Sequence, residues 1–158
     1  MKPITYCLSA ILFLSPVIAQ ASCLSKAAIR WNVPEIILEA IIHQESGGQP
    51  DALNINKNGS HDYGLMQINT INVSSLKSMG IIDHEQMLMQ PCINIQAGAY
   101  LLSQKFNKHG YSWRAVGAYH SETAHYRDNY ANKIMKIVNT GPVLSRKTAL
   151  LLASSTSS

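Results

Sequence analysis

The chain has 158 residues and is mildly basic, with 13 Lys and Arg against 9 Asp and Glu and a formal net charge of +4. This length suits one domain, since a single hydrophobic core of this size buries most of its apolar surface and a second core is not expected. The charges are scattered, without an arginine-rich run or an aromatic and basic ladder. Nucleic-acid binding therefore has no specific support.

The first 21 residues have the pattern of a secretory signal peptide. Lys2 supplies the positive start, residues 4–14 the apolar segment, and Ala19-Gln20-Ala21 a small-x-small cleavage site. The apolar segment is too short for an ordinary membrane-spanning helix. We expect export to the periplasm, a domain over residues 22–139 and a poorly ordered tail over 140–158. The alternative is that the protein stays anchored to the membrane, either by a retained signal peptide or by lipidation of Cys23.

Removal of the signal peptide leaves two cysteines, Cys23 and Cys92. Two cysteines in an exported chain allow one pairing, and an oxidising compartment favours it over two buried thiols. The sequence therefore predicts a disulfide that ties the start of the first helix to the start of a later one.

Apolar residues at helical spacing predict a mainly α fold. No sustained alternation marks a substantial sheet, although residues 47–63 have room for a short hairpin. The predicted helices cover residues 23–30, 34–46, 72–79, 92–108, 113–119 and 126–138, with a turn at 85–89.

Glu45 places a carboxylate where the pattern of its helix calls for a core residue. Pro34 opens this helix, and Ile41 and Ile42 lie one turn before Glu45 on the same face. Burial disfavours a charged carboxylate and raises its pKa, so Glu45 would hold a proton near neutral pH and act as a general acid. The alternative is that the apolar stripe ends earlier and Glu45 reaches solvent.

Two apparent metal motifs lack essential ligands. Residues 54–59 alternate Asn with a closing Gly as a calcium loop does, but Leu65 stands where a bidentate Glu is required. His43 has no second His one helical turn later, which a zinc protease needs. We predict a polar turn at Asn58-Gly59, no metal site and no cofactor.

Several short segments together resemble the soluble lytic transglycosylases, which have a lysozyme-like fold and cleave the glycan strands of bacterial peptidoglycan. The resemblance runs from about Cys23 to Asn139 and implies a single mainly α domain of the goose-type lysozyme class. In size and layout the chain is most similar to small transglycosylases of type IV pili, conjugation systems and type III secretion. The segments are Glu45-Ser46 at a helix end, Gly64-Leu65-Met66-Gln67, Ala118-Tyr119, and a final helix near Tyr130.

The resemblance implies a catalytic acid, Glu45, and a set of substrate-binding residues. Gln67 would offer a donor and an acceptor to N-acetyl groups. His120 departs from the family pattern, which has Asn after the Tyr. Taken alone, Met66 and Tyr119 would be interpreted as core residues. The implied substrate-binding residues are Ser46, Met66, Gln67, Tyr119 and His120.

A single Glu suffices for the implied reaction. Glu45 would protonate the oxygen between N-acetylmuramic acid and N-acetylglucosamine, and then accept a proton from the muramic acid 6-hydroxyl, which closes a 1,6-anhydro ring. Asp51 and Asp62 are candidates for the second carboxylate that glycoside hydrolysis often uses, but neither matches a family catalytic position. A hydrolytic muramidase of the lysozyme type and an inactive glycan-binding assembly component remain as alternatives. The implied partners are peptidoglycan strands and components of an envelope-spanning apparatus.

Overall fold

The computed structural model describes residues 16–140, with side chains from Ser22 onward. In this range the chain is mainly α-helical, as predicted, with one small sheet. Short 3-10 helices cover Thr70–Asn72 and Glu85–Met89. The helices are α1 (Pro16–Trp31), α2 (Glu35–Ser46), α3 (Val73–Ser78), α4 (Pro91–His109), α5 (Trp113–His120) and α6 (Ala124–Thr140), and the strands are β1 (Leu53–Ile55), β2 (His61–Tyr63) and β3 (Ile68–Asn69).

The terminal predictions fall largely outside the described residues. Of the expected signal peptide only residues 16–21 are described, and of the expected tail only Thr140. Helix α1 begins at Pro16, so the predicted start at Cys23 was wrong; cleavage before Ser22 stays a prediction. Across residues 16–140, no helix is both long enough and apolar enough to cross a membrane.

Helix α4 forms the centre of the core. Its apolar residues at helical spacing, Ile95, Ala99, Leu102 and Phe106, are all buried as the sequence predicted. The helix packs against α1 on one side and α5 on another. Gly98 allows a close approach to the loop before β3, because an added Cβ would lie 2.2 Å from Sδ of Met66. Helix α4 therefore supports that loop from beneath.

The predicted hairpin exists and is extended by a third strand. The order is β1-β2-β3, all antiparallel, with Asn54 opposite Asp62 and Asp62 opposite Asn69. Cross-strand partners share a face of the sheet, so these three polar side chains lie side by side. Gly59, at φ 81°, closes the predicted turn by donating its N–H to the carbonyl of Asn56.

Cys23 of α1 and Cys92 of α4 form the predicted disulfide, with their Cα atoms 5.2 Å apart. The bridge joins residues that are 69 positions apart in the chain. On the chain-entropy model, a cross-link that closes a loop of this length in the unfolded chain stabilises the folded state by about 4 kcal/mol. The disulfide thus fixes α1 against the central helix and stabilises the fold.

Candidate active site

Glu45 lies in the last turn of α2, one turn beyond the buried Ile41 and Ile42. The helix ends at Gly47, whose left-handed backbone at φ 63° lets its N–H bond the carbonyl of His43. The Glu45 side chain is half-buried and lines a large cleft. The prediction that this carboxylate turns inward is therefore confirmed.

Tyr130 binds the carboxylate of Glu45 from α6. Its hydroxyl donates a hydrogen bond of 2.5 Å to Oε1 of Glu45, and its ring is buried. Burial raises the pKa of Glu45, the hydrogen bond from Tyr130 lowers it, the negative charge of Asp62 raises it and the positive charge of Lys133 lowers it. Because the net direction is upward, Glu45 keeps its proton to a higher pH than an exposed Glu, as a general acid requires.

The two tyrosines near Glu45 remain hydrogen-bond donors. Burial and the negative charge of Glu45 raise the pKa of both Tyr119 and Tyr130. The hydroxyl of Tyr119 donates to the carbonyl of Met66 at 3.0 Å. Tyr119 therefore joins α5 to the loop beside Glu45, and it also borders the cleft.

Asn94 of α4 holds the loop of residues 64–67 in place. It is fully buried, its Oδ1 accepts from the N–H of Met66 at 2.8 Å, and its Nδ2 donates to the carbonyls of Tyr63 and Leu88 at 2.7 Å each. Gly64, at φ 66°, is required here because a Cβ would lie 2.6 Å from Nδ2 of Asn94. One buried amide thus bonds three backbone groups from two segments of the chain and joins them to α4.

Gln67 has a strained backbone at the edge of the cleft. Its φ is 46°, which is uncommon for a residue with a side chain. Its Nε2 donates to the carbonyls of Gly64 and Ala52, at 2.9 and 3.3 Å. Both amide hydrogens are then used, so Gln67 presents its Oε1 to the cleft as an acceptor only. The sequence also predicted that Gln67 donates a hydrogen bond to an N-acetyl group, and these two bonds correct that expectation.

Ser46 and Met66 support the cleft from behind. The Ser46 hydroxyl donates to the carbonyl of Leu65 at 2.8 Å and accepts from the N–H of Gly48 at 3.2 Å, which agrees with the expected ordering of the cleft floor. The Met66 side chain is 0% exposed and packs against Gly98. The structure corrects the expected sugar contact of the Met66 side chain, because no part of it reaches the surface.

Asp62 lies in the cleft with Glu45, whereas Asp51 is absent from the cleft wall that the described residues form. Oδ2 of Asp62 accepts from Asn54 at 3.1 Å and Asn56 at 2.9 Å, and its Oδ1 accepts from Asn69 at 2.7 Å. Three neutral amides therefore hold one carboxylate in a fixed orientation. Two of these amides, Asn54 and Asn56, belong to the segment of residues 54–59 whose sequence resembles a calcium loop.

The cleft has a volume of about 880 Å³, within the usual range for small-molecule sites. Glu45, Tyr119 and His120 line one part of it, and the polar face of the sheet lines another. His120 ends α5 and stacks flat on the ring of Tyr130, with centroids 4.9 Å apart and planes 3° apart. Among residues 16–140, no cluster of three His, Cys, Asp or Glu is arranged to hold a metal ion.

The sequence alone does not reveal the contacts of Tyr130 and Asp62. It leaves Tyr130 either as a support of the cleft or as a packing residue, and nothing in local spacing shows that α6 passes Glu45, 85 positions earlier in the chain. Asp62 carried a usable signal, because it follows a run of alternating Asn residues that could serve it as donors. Its opposition to Asn54 and Asn69 follows from the strand register.

Comparisons with known proteins point to one family. The transglycosylase SLT domain family matches residues 22–137. Protein IpgF of Shigella flexneri is 40% identical over 109 residues, which cover 69% of this chain and 71% of IpgF. Invasion protein IagB of Salmonella typhimurium (strain SL1344) is 43% identical over 120 residues, which cover 73% of this chain and 74% of IagB.

A solved structure shares the fold. It is the X-ray structure of an inactive mutant of lytic transglycosylase Slt from Pseudomonas aeruginosa, with a TM-score of 0.63 and 22% identity. The match covers 77% of this chain and 23% of that protein, and at this identity it concerns the lysozyme-like fold alone. With the family match over most of its length, the chain belongs to the transglycosylase SLT domain family.

Proposed function

We propose that this protein is a peptidoglycan lytic transglycosylase that cleaves the β-1,4 bond between N-acetylmuramic acid and N-acetylglucosamine and leaves 1,6-anhydro-muramic ends. Family membership supports the reaction class. The observation that carries the proposal for this chain is Glu45, a half-buried carboxyl with a raised pKa that Tyr130 holds at the wall of the cleft.

Glu45 acts twice in the proposed reaction. Because Tyr130 binds Oε1, the other carboxyl oxygen is available to carry the proton. Glu45 gives this proton to the glycosidic oxygen as the bond to the anomeric carbon breaks and positive charge develops there. The muramic acid 6-hydroxyl then attacks the anomeric carbon and returns its proton to Glu45. No water is consumed, and the carboxyl group ends in its starting state.

The remaining groups of the cleft fit roles in substrate binding. Oε1 of Gln67 is placed to accept a hydrogen bond from an N-acetyl N–H. Asp62 supplies a negative charge that attracts the positive charge of an oxocarbenium-like centre. Tyr119 keeps the loop of Gln67 against α5, and the imidazole of His120 is available to sugar hydroxyls.

The expected setting is the periplasm, after export through the N-terminal signal peptide. One relative bears the name invasion protein. This supports a role in opening the cell wall locally for a pilus, conjugation or secretion apparatus. The components of that apparatus are the proposed partners, and the glycan strands of peptidoglycan are the substrate.

A hydrolytic muramidase is the second candidate, and Asp62 is the observation that favours it. Hydrolysis by glycosidases usually employs two carboxyl groups, and Asp62 shares the cleft with Glu45. In that case Glu45 would activate water in place of the 6-hydroxyl. The products then carry ordinary reducing ends.

The mature protein should release muropeptides from purified peptidoglycan, and mass spectrometry should find anhydro ends. Glu45→Gln should abolish release and keep a thermal unfolding temperature close to that of wild type, because Gln keeps the shape of Glu but cannot transfer a proton. Glu35→Gln, on the same helix but outside the cleft, is the matched control and should retain activity. Release by Glu45→Gln at the wild-type rate would assign the chemistry to another group, and no release by wild type would favour an inactive binding component.

A further inference from the structure

His120 connects the surface of the cleft to the catalytic carboxyl. Its ring lies parallel to the ring of Tyr130, with centroids 4.9 Å apart, and the Tyr130 hydroxyl donates to Oε1 of Glu45 at 2.5 Å. The three side chains come from α5, α6 and α2, so their contact depends on the tertiary fold. A change in charge at His120 therefore occurs one aromatic ring away from Glu45.

We propose that His120 is a positioning residue whose charge state acts on Glu45 through Tyr130, and that protonation of His120 slows the reaction in acid. The inference rests on the proposed function, because it concerns the same carboxyl group. It also gives a physical role to position 120, where this chain has His and the resemblance to the family leads one to expect Asn.

The surroundings favour the neutral imidazole at neutral pH. The His120 side chain is exposed overall, but its neighbours partly desolvate the ring and so lower its pKa; Lys133 of α6 lowers it further, and Asp62 of β2 raises it. On α4, Lys105 faces the same cleft, but its Nζ is paired with Glu122 at 2.8 Å. His120 is therefore uncharged under the conditions in which Glu45 is proposed to work, and it gains a positive charge on acidification.

A positive charge at His120 has two effects in the cleft. An imidazolium over the face of Tyr130 makes the phenol a stronger donor, which stabilises the carboxylate form of Glu45 and lowers its pKa. The same charge lines the cleft in which an oxocarbenium-like centre develops, and because like charges repel, it slows the reaction. Asn at this position has no charge to gain.

The first test compares pH profiles of muropeptide release for wild type, His120→Asn and His84→Asn, each normalised to its own maximum. His84 is exposed, lies outside the cleft and serves as the control. From pH 7 to pH 5, wild type and the control should lose about threefold more of their rate than His120→Asn, which is the size of effect that half a pKa unit produces. Superimposable profiles for wild type and His120→Asn would overturn the proposal.

The second test does not depend on activity. Titration of the Glu45 side-chain carboxyl by ¹³C NMR should give a midpoint about half a pH unit lower in His120→Lys, which has a permanent positive charge, than in His120→Asn. Equal midpoints would show that charge at position 120 does not reach Glu45, and this refutes the proposal even in an active enzyme. A protein that releases no muropeptides but shows the midpoint difference would instead contradict the proposed function and leave the coupling intact.

Discussion

Replacing Tyr130 by Phe removes one hydroxyl and leaves the buried ring in place. The lost hydrogen bond, 2.5 Å long to Oε1 of Glu45, becomes stronger as Glu45 gives up its proton and gains negative charge. Hydrogen bonds to charged groups are worth about 1.5 to 3 kcal/mol, and those between neutral groups about 0.5 to 1.5 kcal/mol. The hydrogen bond is therefore stronger by about 1.4 kcal/mol in the transition state than in the ground state. Its loss in Tyr130→Phe predicts about a tenfold lower maximal rate.

The pH profile of Tyr130→Phe should shift in a defined direction. The hydrogen bond lowers the pKa of Glu45, so its removal raises that pKa further and moves the alkaline fall in activity to higher pH. Muropeptide release from pH 4.5 to 8.5 measures both effects. Tyr126→Phe is the matched control, since Tyr126 lies on the same helix and is 59% exposed. A maximal rate within twofold of wild type and an unmoved alkaline limb would refute the assigned role of Tyr130.

Further predictions concern the second carboxylate, the buried amide and the disulfide. Asp62→Asn should keep most of the activity, because a transglycosylase needs one acid; a loss as complete as that of Glu45→Gln would favour hydrolysis. Asn94→Ala removes three buried hydrogen bonds to backbone groups and should lower the free energy of unfolding by about 3 to 5 kcal/mol, whereas the exposed Asn107→Ala should change it by less than about 0.5 kcal/mol in thermal or urea unfolding. Replacing Cys23 and Cys92 by Ser should lower the unfolding temperature without lowering the specific activity of the folded protein.

The sequence predicted the helices well because their signals are local. The apolar spacing within α4 and the Pro and Gly that bound α2 determine those elements from nearby residues. The inward direction of Glu45 followed from the same periodicity. The start of α1 at Pro16 differs from the predicted start at Cys23, because the residues before Cys23 also match the pattern of a signal peptide.

The rest of the site depends on contacts between distant segments. No local pattern brings Tyr130 to Glu45, or Asn94 to the loop of Met66, because each contact requires the packing of α6 or α4 against other elements. The third strand, Ile68–Asn69, has two residues, too few for a recognisable alternation. Motif matching also could not separate Gln67, which borders the cleft, from Met66, which lies beneath it.

The central claim is that Glu45 transfers a proton to the leaving oxygen and that an internal hydroxyl, not water, attacks the anomeric carbon. Digestion of purified peptidoglycan in ¹⁸O-water, followed by mass spectrometry of the released muropeptides, tests this claim directly. The account predicts 1,6-anhydro-muramic ends without ¹⁸O, and their loss in Glu45→Gln. Reducing ends that carry ¹⁸O at the anomeric position in most products would contradict it and identify the protein as a hydrolase.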